Sequence, residues 1–174
     1  MGVPAVPPKD ARRSGGGAVD STAGRTKLDK VDVGILGELQ ADGRLSLSEL
    51  GRRVNLSPAA VSERVRRLEE TGVVTGYTAT VDPTRLGYGI LAFVRLDTDR
   101  GIGFRDPRVV RITERPEVLE AHHLVGVDGW ILKVAARDVA HLEELLEDVS
   151  TVGRTATSIV MSSPVNGRPL GPAA

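Results

Sequence analysis

LSPAAVSERVRRLEETG, residues 56–72, holds a helix start, a basic helix body and a helix stop in one short stretch. Ser57 is a natural N-cap, and Pro58 follows at the first helical position, where its missing N–H is harmless. Val61, Val65 and Leu68 recur at the spacing of one helical face, and Gly72 supplies the C-terminal stop. Just upstream, SLSE at 46–49 reads as a capping box: the Ser46 hydroxyl accepts from the Glu49 amide while the glutamate reaches back. Leu45 and Leu50 fit the accompanying hydrophobic staple, and Leu47, Leu50 and Val54 are expected to face a core. Asn55, which tolerates a left-handed turn, ends that helix, and only Asn55-Leu56 separates it from the next cap. Two short helices joined so tightly, the second one basic, predict a helix-turn-helix.

The residues before this pair supply a third helix. In LDKVDVGILGELQADG, residues 28–43, Leu28, Val31, Ile35 and Leu39 form an amphipathic stripe, with Asp29 as cap and Gly43 as stop. After Gly72 the period changes. VVTGYTATVDPTRLGYG is rich in valine and threonine and reads as an extended arm.

Beyond the arm, elements alternate. ILAFVRLDT is a strand, DPRVVRITERP a helix and VLEAHHLVG a strand. WILKVAARD is a strand with Trp130, Leu132, Val134 and Ala136 on one face. DVAHLEELLEDVS is a helix with Leu142, Leu145, Leu146 and Val149 inward, and TATSIVMSS a closing strand. The order βαββαβ is that of a ferredoxin-like α+β domain, whose helices cover one sheet face; the other face needs a cover, which predicts self-association. The expected organisation is a disordered tail (1–26), a winged helix-turn-helix domain (27–75), a linker arm (76–88), a ferredoxin-like domain (89–165) and a flexible C-terminal tail (166–174).

Composition narrows the function. The 174 residues are 40% hydrophobic and 3% aromatic, so aliphatic side chains must fill the cores. There is no cysteine, which excludes disulfides and thiolate metal sites. No apolar run approaches the roughly 20 residues of a membrane span, and no secretion signal opens the chain, so a soluble, cytoplasmic protein is expected. Net charge is zero, which argues against indiscriminate binding to nucleic acid. Any DNA site must come from locally placed arginines.

The basic helix offers such a placement. With Val61, Val65 and Leu68 inward, Ala59, Ser62, Glu63 and Arg66 fall on the opposite face. Ser57, Pro58, Ala59 and Ala60 make its N-terminal end small enough to approach base edges, while Arg64, Arg66 and Arg67 can reach phosphates or guanines. Arg52 and Arg53, on the preceding helix, can touch the backbone. The competing reading is a solvated helix whose arginines pair with Glu63, Glu69 and Glu70. The capped helices, minimal turn and basic cluster together favour DNA contact. Serine and alanine carry little base readout, so part of the specificity is assigned to DNA shape.

Residues 27–165 resemble the Lrp/AsnC (leucine-responsive, feast/famine) transcriptional regulators. The resemblance rests on the opening Leu-Asp-x-x-Asp, the LSPAAVSERVRRLEETGVV helix, the Tyr-x-Ala-x-Val-Asp-Pro arm, and PEVLEAHHLVGVDGWILKV and TATSIVMSSPV further on. It implies binding to double-stranded DNA, a homodimer joined through the C-terminal sheets, assembly to a higher oligomer such as an octamer, and a small effector, usually an amino acid. It places the effector around GVDGW, that is Gly126, Val127, Asp128, Gly129 and Trp130. Many members have Asp-Tyr where this chain has Gly129-Trp130, and its acid, Asp128, comes one place earlier. A glycine-rich turn offers N–H groups to a carboxylate, and an acid offers counter-charge to an amine; an ordinary hairpin turn explains the same residues. Thr155, Thr157 and Ser158 are weaker effector candidates, since hydroxyls are common on strands.

Three further features carry less. His122 and His123 are adjacent on a strand and point to opposite faces, and His141 lies on a helix, so no metal site is expected. GIGF, residues 101–104, lacks the third glycine and the context of a dinucleotide motif. No cofactor and no catalytic residue is expected. The alternatives are a sirohaem-type tetrapyrrole decarboxylase, which shares this two-domain architecture, and an architectural chromosome-binding protein.

Overall fold

The computed structural model describes residues 26–125 and 129–172. The tail expected at 1–26 lies outside them but for Thr26, as do Gly126, Val127 and Asp128. The described chain divides into two compact units, one of residues 26–80 with 165–172, the other of residues 81–164.

The first unit contains α1 (Lys30–Ala41), α2 (Leu47–Val54) and α3 (Pro58–Glu70). Ile35, Leu50, Val61, Val65 and Leu68 form its core, ringed by Leu28, Val31, Leu39, Val54 and Val73. Ser46 and Ser57 cap α2 and α3 by accepting from Glu49 N and Ala60 N, both at 3.2 Å. Asn55 adopts the left-handed conformation at φ 55°, and Gly72 does so after α3 at φ 70°. Gly51 makes the tight turn possible: a Cβ there would stand 2.6 Å from the Leu56 carbonyl oxygen.

Four details depart from expectation. The Glu49 carboxylate does not return to Ser46 but binds Arg52 and Arg53, whose full charges outcompete one backbone N–H. The reciprocal capping box forms at α1 instead, between Asp29 and Asp32. Leu47 is 41% exposed, because a first-turn side chain points back beyond the helix start rather than into the core. Helix α1 ends at Ala41 with Asp42 as its cap, before Gly43. No strand forms among the described residues of this unit, whose residues 75–80 form neither helix nor strand; the arm expected to be extended over 76–88 is interrupted by a 3-10 turn at Pro83–Leu86, capped by Asp82.

The second unit contains β1 (Ile90–Thr98), α4 (Pro107–Thr113), β2 (Val118–His123), β3 (Trp130–Ala136), α5 (Val139–Ser150) and β4 (Gly153–Ile159). All pairings are antiparallel and the strand order is β2-β3-β1-β4, the ferredoxin-like topology. Ala92, Val94, Leu96, Leu132, Val134 and Ala136 pack against Val109 and Ile112 of α4 and Leu142, Leu145 and Val149 of α5. Leu146 is only partly buried. A bulge between Val118 and Glu120 shifts the β2 register, so Ala121 and His123 share the helix-covered face while Glu120 and His122 lie on the other. On that uncovered face Phe93 is 38% exposed, beside Leu91, Ile131 and Ala135.

One buried polar group of this unit went unnoticed in the sequence. His141 is 5% exposed. Its Nδ1 accepts from Arg137 N at 3.1 Å, which leaves the proton on Nε2 to donate to Glu117 Oε1, also at 3.1 Å. The network ties α5 to the start of β2. A capping position next to a loop gives no periodic signal of such burial.

Candidate nucleic-acid interface and effector site

The outer side of α3 is as small and open at its N-terminal end as the wheel predicts. Ser57, Pro58, Ala59, Ser62 and Glu63 are exposed, and Ala60 is half-buried. A major groove admits a helix whose first turns carry such short side chains.

The arginines are arranged less simply. All five candidates are held by carboxylates of their own unit. Arg52 binds Glu49, and Arg53 bridges Glu49 and Glu38. Arg66 lies between Glu63 and Glu70 on the exposed side of α3. Arg64 instead turns toward the start of α1, donating to Asp29 at 2.7 Å and Asp32 at 2.8 Å, and Arg67 donates to Asp32 at 2.6 Å. The structure thus separates residues that the sequence grouped. Arg52 and Arg66, 74% and 56% exposed, sit in surface pairs that water already weakens, and a phosphate can replace the carboxylate. Arg64, 29% exposed, is fastened to a carboxylate with 1% exposure.

These pairs explain the local electrostatics. The Arg64 hydrogen bond, helped by the Asp32 amide, holds the Asp29 carboxyl down to about 2. Arg52 and then Arg53 hold Glu49 down to about 2. Arg66 lowers Glu63 in the same way. Asp32 is the functional residue that sequence reasoning missed. Its signal was available, since Asp29-x-x-Asp32 has capping-box spacing with an acid in place of glutamate.

Around the effector candidates, the described geometry is partial. Trp130 opens β3 with Gly129 just before it, and Leu124 N donates to Gly129 O at 2.8 Å, closing the base of the loop. Trp130 pairs across β1 with Leu96, which pairs with Thr155, so Trp130 and Thr155 stand in one row at one end of the sheet. Thr157 lies two residues along the same face, while Ser158 points to the opposite one. Trp130 packs on the core, and its ring lies 5.0 Å from that of His123, itself 5.7 Å from Phe104. His122 faces the other side, beside Glu120. Among the described residues no three metal-binding side chains converge, and no helix is long and apolar enough to cross a membrane.

Comparison with known proteins agrees with both units. Residues 28–69 match the AsnC-type helix-turn-helix domain, and residues 91–170 match the Lrp/AsnC ligand binding domain. The leucine-responsive regulatory protein of Escherichia coli K12 is 38% identical over 139 residues, covering 77% of this chain and 85% of that protein. The transcriptional regulator LrpA of Mycobacterium tuberculosis is 37% identical over 138 residues, covering 78% and 91%. A transcriptional regulator from Neisseria meningitidis, solved as an L-Met complex, superposes with a TM-score of 0.77 at 30% identity, covering 83% of this chain and 96% of that one. Helix-turn-helix, ligand-binding sheet domain and relatives leave one assignment: the chain belongs to the Lrp/AsnC family of transcriptional regulators.

Proposed function

We propose that the protein binds specific double-stranded DNA sites through α3 and alters that binding in response to an amino acid. The observation that carries the reading is the outer side of α3, where small exposed residues (Ala59, Ser62) precede Arg66, with Arg52 and Arg53 alongside on α2. In this reading Ala59, Ala60 and Ser62 approach base edges, while Arg52, Arg53 and Arg66 exchange their carboxylates for phosphates. A dimer would present two such helices to half-sites about 34 Å apart, or a multiple of that. The sheet face opposite the helices, where Leu91, Phe93 and Ile131 stand beside Arg95 and Lys133, supports dimerisation there, and an octamer is the assembly the family suggests. Domain limits of 27–75 and 89–165 and a cytoplasmic location complete the proposal, and no catalytic role is assigned.

The effector site is placed around residues 126–130, with Thr155 and Thr157 on the adjoining strand. Two relatives support an amino-acid effector. The Neisseria regulator and a feast or famine regulatory protein from M. tuberculosis were both solved with L-methionine.

Gel-shift titration on the DNA upstream of the protein's own coding sequence tests the reading. Binding is expected to exceed that on scrambled DNA and to weaken as salt rises, and an amino acid that raises the melting temperature is expected to change the shift pattern. Equal affinity for random DNA, or indifference to salt, would refute it.

A further inference from the structure

We propose that the helical unit carries a docking groove for a proline-bounded peptide, and that the chain's own residues 169–172 dock along it and close one side. The groove, about 600 Å³ in volume, runs along α1 and the segment after α3, with Leu36, Leu39, Val74 and Tyr77 among its walls. Its other side is the segment Pro169-Leu170-Gly171-Pro172.

The contact is specific to main chain. Gln40 Nε2 donates to the Leu170 carbonyl at 3.0 Å, and Gln40 Oε1 accepts from the Leu170 N–H at 2.8 Å. One carboxamide thus satisfies both backbone groups of one residue, as a neighbouring strand would. The same Nε2 donates to Leu36 O at 3.2 Å, which fixes the amide's orientation on its own helix. Leu170 is 83% exposed, so its side chain takes no part in recognition. Pro169 and Pro172 restrict the backbone on either side and reduce the freedom lost on docking.

Neither α2 nor α3 contributes a residue to the groove. A segment seated there leaves the outer side of α3 open, so it acts as a strap on the helical unit and not as a plug over the DNA-facing helix.

The chain has no cysteine, which allows a single spin label at Leu170→Cys, whose side chain points outward. In the labelled full-length chain, the amide resonances of Gln40, Val74 and Tyr77 are expected to broaden. In a mixed assembly where only the NMR-silent copies carry the label, they are expected to stay sharp. Broadening in the mixture would show a second copy's tail in the groove, and absence of broadening in both would show a free tail; either result overturns the proposal. Gln40→Ala is expected to abolish the broadening and to speed Leu170 amide exchange about fivefold, the factor matching a net hydrogen bond of about 1 kcal/mol. Broadening that persists in Gln40→Ala overturns the capture by Gln40. Gln40→Glu, which keeps an acceptor and loses the donor, is expected to fall between the two.

Discussion

Asp32 of α1, fully buried, accepts a 2.6 Å hydrogen bond from Arg67 of α3. Its other carboxylate oxygen takes Arg64 at 2.8 Å, and it also accepts from the Asp29 N–H at 3.1 Å. One acid therefore completes the cap of α1 and fastens the rear of the basic helix. A carboxylate out of water is tolerated only when its oxygens are fully engaged, and these are.

Asp32→Ala removes all three bonds. The arginines left behind are partly exposed and can turn to water, so the loss is milder than when a charge is stranded in a core. It is expected to be about 2 kcal/mol, within the range for charge-assisted hydrogen bonds, and to appear as a lowered midpoint in chemical unfolding of the helical unit.

The same geometry divides the arginines by role. Alanine at Arg66, which faces solvent, is expected to cut the slope of log K against log salt by about 1, the value for one lost phosphate contact. Alanine at Arg64 is expected to leave that slope unchanged while lowering stability. Salt titrations of DNA binding by the two variants, side by side, check the division. A slope reduced equally by both would place Arg64 on the DNA.

Gly51→Ala tests the turn. The added methyl meets the Leu56 carbonyl oxygen at 2.6 Å, and a backbone oxygen cannot move without shifting the cap of α3. The cost is expected to be about 1–3 kcal/mol, as for overpacking a tight site. DNA affinity should fall with it, while Trp130 fluorescence, which reports the sheet unit, stays native.

Acid sensitivity follows from the carboxylates of the helical unit. Asp29 and Glu49 are held at about 2, below ordinary values of 3.8 and 4.5, by Arg64 and by Arg52 with Arg53. A carboxyl whose pKa is depressed by folding contributes in full above its unfolded value and loses that contribution as pH falls through the folded one. Stability of this unit is therefore expected to be level from neutrality to about pH 5 and to decline between about pH 4.5 and 2. Urea midpoints across that range check it, and Asp29→Asn should flatten the decline.

How much of this was legible in the sequence depends on how local the cause is. Ser57, Pro58, Asn55 and Gly72 act within a few residues of themselves, and they marked the helix ends correctly. The alternation in Trp130, Leu132, Val134 and Ala136 placed β3 with the right face inward. The capping role of Asp32 was legible in its spacing from Asp29, but its hold on two arginines more than thirty residues away, like the approach of Gly51 to a carbonyl across a turn, depends on partners brought in by folding. Glu49 shows the opposite failure. Its motif was correct, but a nearby pair of guanidiniums offered its carboxylate a stronger partner than the backbone. The strap at Leu170 left no trace in a tail that composition alone marks as flexible.

Trp130 gives the effector proposal a direct optical readout. It is the chain's only tryptophan, opens β3 immediately after the loop assigned to the effector, and stacks at a tilt on His123. An amino acid seated at residues 126–130 must change the polarity or the water around that indole. Titration with methionine is expected to alter Trp130 emission over the same concentrations that raise the melting temperature. Trp130→Phe should abolish the optical signal, which assigns the change in emission to that indole. A thermal shift without any change in emission would move the effector away from the loop, to a surface that Trp130 does not report.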